Sequence, residues 1–282
     1  MTHTITHTTF ALGSDLPVSR IGYGAMRLAD ASIWTAPADR ATAVGVLRRA
    51  VELGVNLVDT ADAYALGANE ELVAEALHPY GDEVAVATKV GIVRPSATDW
   101  VVHGHPAYLR QQAELSLRRL RTERIDLLQL HRVDPEYPVA DQIGALRQLQ
   151  DEGKVRHIGL SEVTVEQLKE AETVAPIASV QNHYNLSERG HDDVVDHTAA
   201  RGIAFLPFFP IAAGEHAGPD SPVGAVAREA GATAAQTSLA WLLHRAPNVI
   251  PIPGTTSVAH LEENVAALQL TLTESQFRAL SA

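Results

Sequence analysis

One unit recurs along the chain: a stretch with helical periodicity, a glycine, then a short apolar run. It reads RRAVELG-VNLVD, LRQLQDEG-KVRHIGLS and HTAARG-IAFLPF. Gly54, Gly153 and Gly202 stand where the left-handed residue just past a helix C-terminus belongs. The apolar runs lack clean alternation, as strands buried on both faces should. Eight such runs follow one another: RIGYG, NLVDT, VAVATK, IDLLQLH, VRHIGLS, ASVQN, IAFLPF and NVIPIPG. Helical patterns fall between them at 39–53, 69–78, 107–122, 139–152, 165–174, 192–201 and 259–267. Thr164 with Gln167 reads as a capping box, and Ser257 as an N-cap. The alternation predicts an α/β protein, a closed (β/α)8 TIM barrel formed by one domain spanning 1–282. Further helices are expected at 235–244 and 273–281, near the C-terminus. A hairpin is expected before the first strand, with ITHTTFAL turning at Gly13, Ser14 and Asp15. The open alternative, a doubly wound sheet, lacks the GxGxxG that should follow a strand; GYGAM has the wrong spacing.

Active sites of such barrels lie at the C-terminal ends of the strands. The polar residues there are Asp59 with Tyr64 in its loop, Lys89, His131, Ser161 with Glu162, and Gln181 with Asn182. Phe208 offers an aromatic face at the seventh strand end. Gly254, Thr255, Thr256 and Ser257 lead from the eighth strand into a helix start, where anions bind readily. An acid, a phenol, an amine and an imidazole make a proton-transfer set if they converge. A phenol with an ordinary pKa of about 10 is a weak acid at neutral pH, and a nearby ammonium lowers that value. Taken singly, Asp59 reads equally as a helix cap, Tyr64 as packing and His131 as a core histidine. Lys89 is harder to read as filler: it is one of three lysines and ends an apolar strand, where it needs a carboxylate. Asp59 on the neighbouring strand is the candidate.

The chain has 282 residues, 46% of them hydrophobic, and no Ser/Gly linker or low-complexity run divides it. A formal charge of −12 argues against nucleic acid and anionic membrane as partners. Zero cysteine excludes disulfides, thiolate nucleophiles and Cys-ligated metals. His103 and His105 have no carboxylate pattern around them that would suggest a metal site, and together with His3 and His7 they are read as solvated loop residues. No secretory leader or membrane-length apolar run is read, so a cytoplasmic protein, monomeric or weakly homo-oligomeric, is expected.

The residues also match a family. RIGYGAMRL, ELGVNLVDTADAYALGANEELVAEAL, VAVATKVG, LRRLRTERIDLLQLHR, EGKVRHIGLSEVT, VQNHYNL and PIPGTTSVAHLEENVAAL resemble the aldo-keto reductases in order and spacing over nearly the whole length. The resemblance implies a nicotinamide cofactor across the strand ends and an aldehyde or ketone as the small-molecule substrate. It implies Tyr64 as general acid, Lys89 and Asp59 as the groups that tune it, and His131 as the group orienting the carbonyl. Ser161 and Gln181 match positions that hold the carboxamide, and Phe208 the aromatic that stacks on the nicotinamide. Gly24, Ala25 and Met26 match the first-strand loop near the cofactor. Gly254, Thr255, Thr256 and Ser257, with Glu263 and Asn264, match the adenosine-phosphate segment.

Two departures from the family pattern stand out. Residue 162 is Glu where Asn is usual: either it is protonated, or it accepts from the carboxamide NH2, or it points away. The segment 253–264 lacks the Arg or Lys that many members set against a 2′-phosphate, with His260 the nearest match. NADP(H) is the expected cofactor, and NAD(H) stays open. The rivals are a barrel hydrolase or lyase without nicotinamide, and a non-catalytic, cofactor-binding regulatory protein on the same barrel. The pocket wall is expected from Trp34, Trp100, the 94–105 loop and the 210–222 loop, the last either a lid or a plain surface loop.

Overall fold

The computed structural model describes residues 2–3, 8–214, 218 and 221–282. Seven parallel strands form one curled sheet in chain order: β1 Tyr23–Gly24, β2 Leu57–Asp59, β3 Ala85–Val90, β4 Ile125–Leu130, β5 Val155–Ser161, β6 Ile177–Gln181 and β7 Ala204–Phe205. Helices separate them: α1 Arg40–Glu52, α2 Ala68–Leu77, α3 Pro106–Leu120, α4 Val139–Asp151, α5 Val165–Glu172 and α6 Asp192–Arg201. This layout is that of a (β/α)8 barrel. The eighth run forms no ladder strand. It instead joins both edges of the sheet by main-chain bonds: Ile250 N–H donates to Phe205 O at 2.8 Å, and Gly22 N–H donates to Pro251 O at 3.0 Å. Pro251 and Pro253 have no N–H to give, so the run cannot carry a regular ladder.

The glycines after the helices do what the sequence requires of them: Gly54, Gly153 and Gly202 have φ of 85°, 78° and 67°. Thr164 and Gln167 form the capping box at α5, and Ser257 caps α9 (Val258–Ala266) by accepting from His260 N–H. The late helices are α8 Ala234–Arg245 and α10 Glu274–Ser281. A helix that sequence periodicity missed, α7 Pro222–Ala230, begins at the last residue of the expected 210–222 loop and is capped by Ser221. The hairpin pairs Thr9–Leu12 with Leu16–Ser19 around Gly13, Ser14 and Asp15. Residues 5–7 of its expected first strand, His7 included, lie outside the described residues.

Strand parity divides the core. Leu57, Ala85, Ala87 and Leu127 face the barrel interior, where Leu12, Leu16 and Val18 of the hairpin pack against them. Val58, Val86 and Leu128, one residue out of phase, pack in the helix layer. Continuing the interior parity up the strands gives Asp59, Lys89 and Gln129, then His131 just past β4. Register places Gly24 opposite Asp59, Lys89 opposite Gln129 and Ser161 opposite Gln181. The barrel's packed interior therefore ends in a layer of polar side chains. No helix among the described residues is long and apolar enough to cross a membrane.

Candidate active site

Lys89 is the hub of that layer. Its Nζ donates to Asp59 Oδ2 at 2.6 Å, to Thr60 O at 2.8 Å and to Tyr64 Oη at 3.4 Å. Asp59 takes two further bonds on its other oxygen, from Gln181 Nε2 at 2.8 Å and Gln129 Nε2 at 3.1 Å. The carboxylate is thus fully engaged, as a buried charge must be. The His131 ring stands edge-on to Tyr64, with centroids 6.0 Å apart at 81°. Asp59, Tyr64, Lys89 and His131 are each no more than 6% exposed.

Electrostatics assign the protonation states. Burial pulls the Lys89 ammonium down, but Asp59 and Tyr64 more than offset it, so its pKa lies above the usual lysine value and it stays charged. Burial pushes the Tyr64 phenol up. Lys89 opposes that push, Asp59 adds to it, and Arg132 opposes it more weakly. The net direction is upward, so the expected acidification by Lys89 moderates a shift that burial dominates. Tyr64 is a protonated phenol at neutral pH, which is the form a proton donor needs. Burial, then Lys89 and Arg132, hold His131 well below the usual histidine range, so its ring is neutral. Its Nδ1 is buried with no partner among the described residues.

The loop that carries Tyr64 is shaped by unusual backbone. Ala65 and Leu66 adopt positive φ of 49° and 52°, each costing about 1–2 kcal/mol for a residue with a Cβ. Two tethers hold it. Ala65 N–H donates to Ile33 O at 3.0 Å. Arg94, 7% exposed, donates to Ala63 O at 3.4 Å, Ile33 O at 3.1 Å, Ser32 O at 3.3 Å, Ala97 O at 2.8 Å and Asp99 O at 3.0 Å. Its guanidinium carbon also lies 3.7 Å from the centroid of the Trp100 ring, which stands nearly perpendicular to the Tyr64 and His131 rings with centroids 6.4 Å from each. One arginine therefore clamps three loops around the phenol.

A cavity of about 510 Å³ opens above these groups, lined by Asp59, Tyr64, His131, Ser161, Gln181 and Phe208, with Gly24, Met26 and Gly254 on the β1 side. Trp100, Arg132, Pro210 and Ile211 add to its wall. Gly24 and Gly254 allow the main chain to close in there. A Cβ on Gly24 would meet Ile252 O at 2.6 Å, and one on Gly254 would meet Gly24 O at 2.6 Å. The Phe208 ring is backed by His183, stacked at 5.3 Å, and so presents a fixed flat face.

Other expected site residues sit elsewhere. Glu162, at φ 55°, accepts the His183 N–H at 2.5 Å and does not line the cavity; of the three roles its sequence position left open, this geometry corresponds to pointing away. Ala25 is buried, and its carbonyl accepts from Asn69. Thr255 is tied by its carbonyl to Tyr23 and by its hydroxyl to Ser257 N–H. Thr256, Ser257, His260, Glu263 and Asn264 continue from Gly254 into α9, outside the cavity lining. Trp34 faces Arg94 at 5.6 Å and is not part of the lining. Of the 210–222 loop, residues 215–217 and 219–220 lie outside the described residues. Gln129 and Arg132 were not foreseen, and Arg94 only as part of the 94–105 loop, without its clamping role. Strand parity pointed to Gln129, two residues before His131, whereas nothing local in the sequence marks the other two. Among the described residues no set of three His, Asp or Glu side chains converges to hold a metal ion.

The chain matches the Aldo/keto reductase family over residues 20–282, and it belongs to that family. It is 43% identical over 272 residues to pyridoxine 4-dehydrogenase of Escherichia coli (strain K12), covering 94% of each chain. It is 43% identical over 266 residues to an uncharacterized oxidoreductase of Schizosaccharomyces pombe, covering 94% of this chain and 87% of that one. Among solved structures it is similar to an aldo/keto reductase from Klebsiella pneumoniae in complex with NADP and acetate. That match has a TM-score of 0.83 and 28% identity, and covers 98% of this chain and 94% of the other. The glycerol dehydrogenase of Gluconobacter oxydans aligns with a TM-score of 0.88 at 26% identity over 97% and 94% of the two chains.

Proposed function

We propose that this chain, folded as one closed barrel domain, is an NADP(H)-dependent oxidoreductase that interconverts an aldehyde or ketone with its alcohol. The observation that carries the reading is Lys89 Nζ, bound at once to Asp59 and to the Tyr64 hydroxyl at the floor of the cavity. The family membership, and the similarity to a pyridoxine 4-dehydrogenase and a glycerol dehydrogenase, support the same chemistry.

The residues present fit a nicotinamide. Phe208 offers a fixed flat face, Ser161 and Gln181 line the cavity as hydrogen-bonding groups, and Gly24 and Gly254, whose main chains pack closely, line it on the β1 side. When bound, the reduced cofactor supplies the hydride. The chain's own residues handle the proton and the charge. Tyr64 donates its hydroxyl proton to the carbonyl oxygen as that oxygen gains negative charge. Lys89, held charged by Asp59, stabilises the phenolate left behind. The neutral His131 ring donates an N–H toward the same oxygen, lowering the barrier where charge develops. Gln129 and Gln181 fix Asp59, and Arg94 fixes the Tyr64 loop. The segment from Gly254 into α9 would meet the adenosine phosphate, with no Arg or Lys in 253–264 to grip it bidentately.

Parallel fluorescence titrations with NADPH and NADH test the reading. Saturable binding with an affinity in the range of about 1–100 μM, tighter for NADPH, supports it; no binding of either removes the reductase mechanism and leaves the barrel.

A further inference from the structure

Arg132 is a charged element of the cavity wall to which the reductase reading gives no task; the other arginine in the lining, Arg27, lies beside Gly254. Arg132 follows His131 at the end of β4, is half-buried and lines the cavity. Its Nη1 donates to His131 O at 2.6 Å and to Ser161 Oγ at 3.0 Å. These two bonds fix the guanidinium across the ends of β4 and β5. A guanidinium has five N–H donors, and both bonds use Nη1, so Nε and Nη2 remain. Among the described residues no carboxylate lies within ion-pair distance of it. Glu162 is near enough to act on its charge, yet spends Oε1 on the His183 main chain.

Resting on the reductase reading, we propose that Arg132 makes this enzyme select carbonyl substrates with an anionic oxygen next to the reacting carbonyl: an α-carboxylate, or a carboxylate or phenolate ortho to an aldehyde. Three observations converge on this. The first is a cation without an ion-pair partner, on which Glu162 acts only at longer range. Trp100, Ile92 and Val102 give the same cavity an apolar lining, so a neutral substrate would further desolvate Arg132 without pairing it, whereas an anion would pair it. The second is position. Arg132 is bonded to the carbonyl of His131 itself and acts electrostatically on Tyr64, so it lies beside the oxygen-binding end of the cavity. An anion on a long tail would point away from it. The third is geometry: the bonds to His131 O and Ser161 Oγ preorganise the fork, so substrate binding does not have to order a free arginine side chain. A cofactor phosphate is the other source of negative charge. The segment that would meet it begins at Gly254, beside β1, while Arg132 sits between β4 and β5.

The test uses purified protein with NADPH and two matched pairs of carbonyls. Phenylglyoxylate and its methyl ester place the charge beside the reacting carbonyl; 4-formylbenzoate and its methyl ester place it across the ring. Arg132→Met is expected to lower the acid-to-ester ratio of kcat/KM by about tenfold or more for the first pair and by less than about twofold for the second, with Arg132→Lys intermediate. An unchanged ratio for the first pair overturns the proposal, because a merely structural arginine would depress acid and ester alike. A fall in NADPH affinity by the same factor also overturns it and assigns the arginine to the cofactor phosphate. A turnover-independent arm uses the native chain alone. Phenylacetate should quench the fluorescence of the cavity tryptophan at concentrations about tenfold lower than phenylacetamide, and equal affinities overturn the proposal even if the Arg132 variants do not fold. Absence of NADPH-dependent reduction of all four carbonyls would remove the reductase reading, while the binding arm would still decide the anion site.

Discussion

Gln181 Nε2 donates to Asp59 Oδ1 at 2.8 Å, across the barrel from β6 to β2. The family resemblance assigns Gln181 to the cofactor, and it does line the cavity. Its bond to Asp59 gives it a second task, holding the carboxylate that keeps Lys89 charged. A ligand that meets Gln181 therefore touches the proton-transfer set through one intervening side chain.

The same layer predicts what happens when its cation is removed. Lys89→Met leaves Asp59 buried without a counter-ion, a change that costs about 3–5 kcal/mol where it has been measured for buried pairs. Thermal unfolding should therefore move down sharply, and turnover should be lost. Adding Asp59→Asn should restore part of the stability, since the uncompensated charge is gone, and none of the activity. A double variant no more stable than Lys89→Met would contradict the pairing.

Arg94 predicts a loss of activity from a residue outside the proton-transfer set. It holds five carbonyl oxygens of the loops around Tyr64 and packs on Trp100. Arg94→Met should lower the melting temperature by several degrees, each kcal/mol moving a chain of this size by about 2–4 °C. It should also lower kcat by about tenfold or more, because a small displacement of a reacting group is costly. A folded variant with native turnover would show that the Tyr64 loop holds its positive-φ conformation unaided.

Asp62 predicts a pH dependence of stability. Unfolded, a carboxyl of this kind titrates near about pH 4. Folded, burial first and the Glu70 charge second push it well above that, and its Oδ1 has no partner. Between those two values the folded chain holds a proton that the unfolded chain has released, so stability falls as pH rises through the window. Asp62→Asn removes this loss. The variant should gain stability relative to the native chain at about pH 8 compared with about pH 4, read as the difference in melting temperature at the two values. An equal difference at both would mean that Asp62 titrates alike in both states.

The fold was legible because the repeat of helix, glycine and apolar run states its own topology, and Gly54, Gly153 and Gly202 adopt the positive φ that the repeat demands. The eighth run was legible as a position but not as a ladder, since Pro251 and Pro253 interrupt its donors. Helix α7 was obscured by the Gly/Pro-rich stretch before it, which reads as loop until Ser221 caps the first turn. In the site, Asp59, Lys89 and His131 could be read because they terminate strands with one parity. Gln129 shares that parity and could have been read the same way. Arg94 could not: its partners are carbonyls of distant loops, which leave no mark on the sequence around it. Glu162 was the reverse case, a residue singled out by its neighbours in sequence whose carboxylate is engaged by the His183 main chain.

In the proposed mechanism the Tyr64 hydroxyl, against Lys89, delivers the proton. Tyr64→Phe removes that oxygen and little else, and the pair of measurements is NADPH affinity and turnover on one aldehyde. The expected result is an affinity within about threefold of the native chain, and a kcat lower by about a hundredfold or more, in the range general acid catalysis contributes. A folded Tyr64→Phe protein that binds NADPH and turns over at the native rate would contradict it.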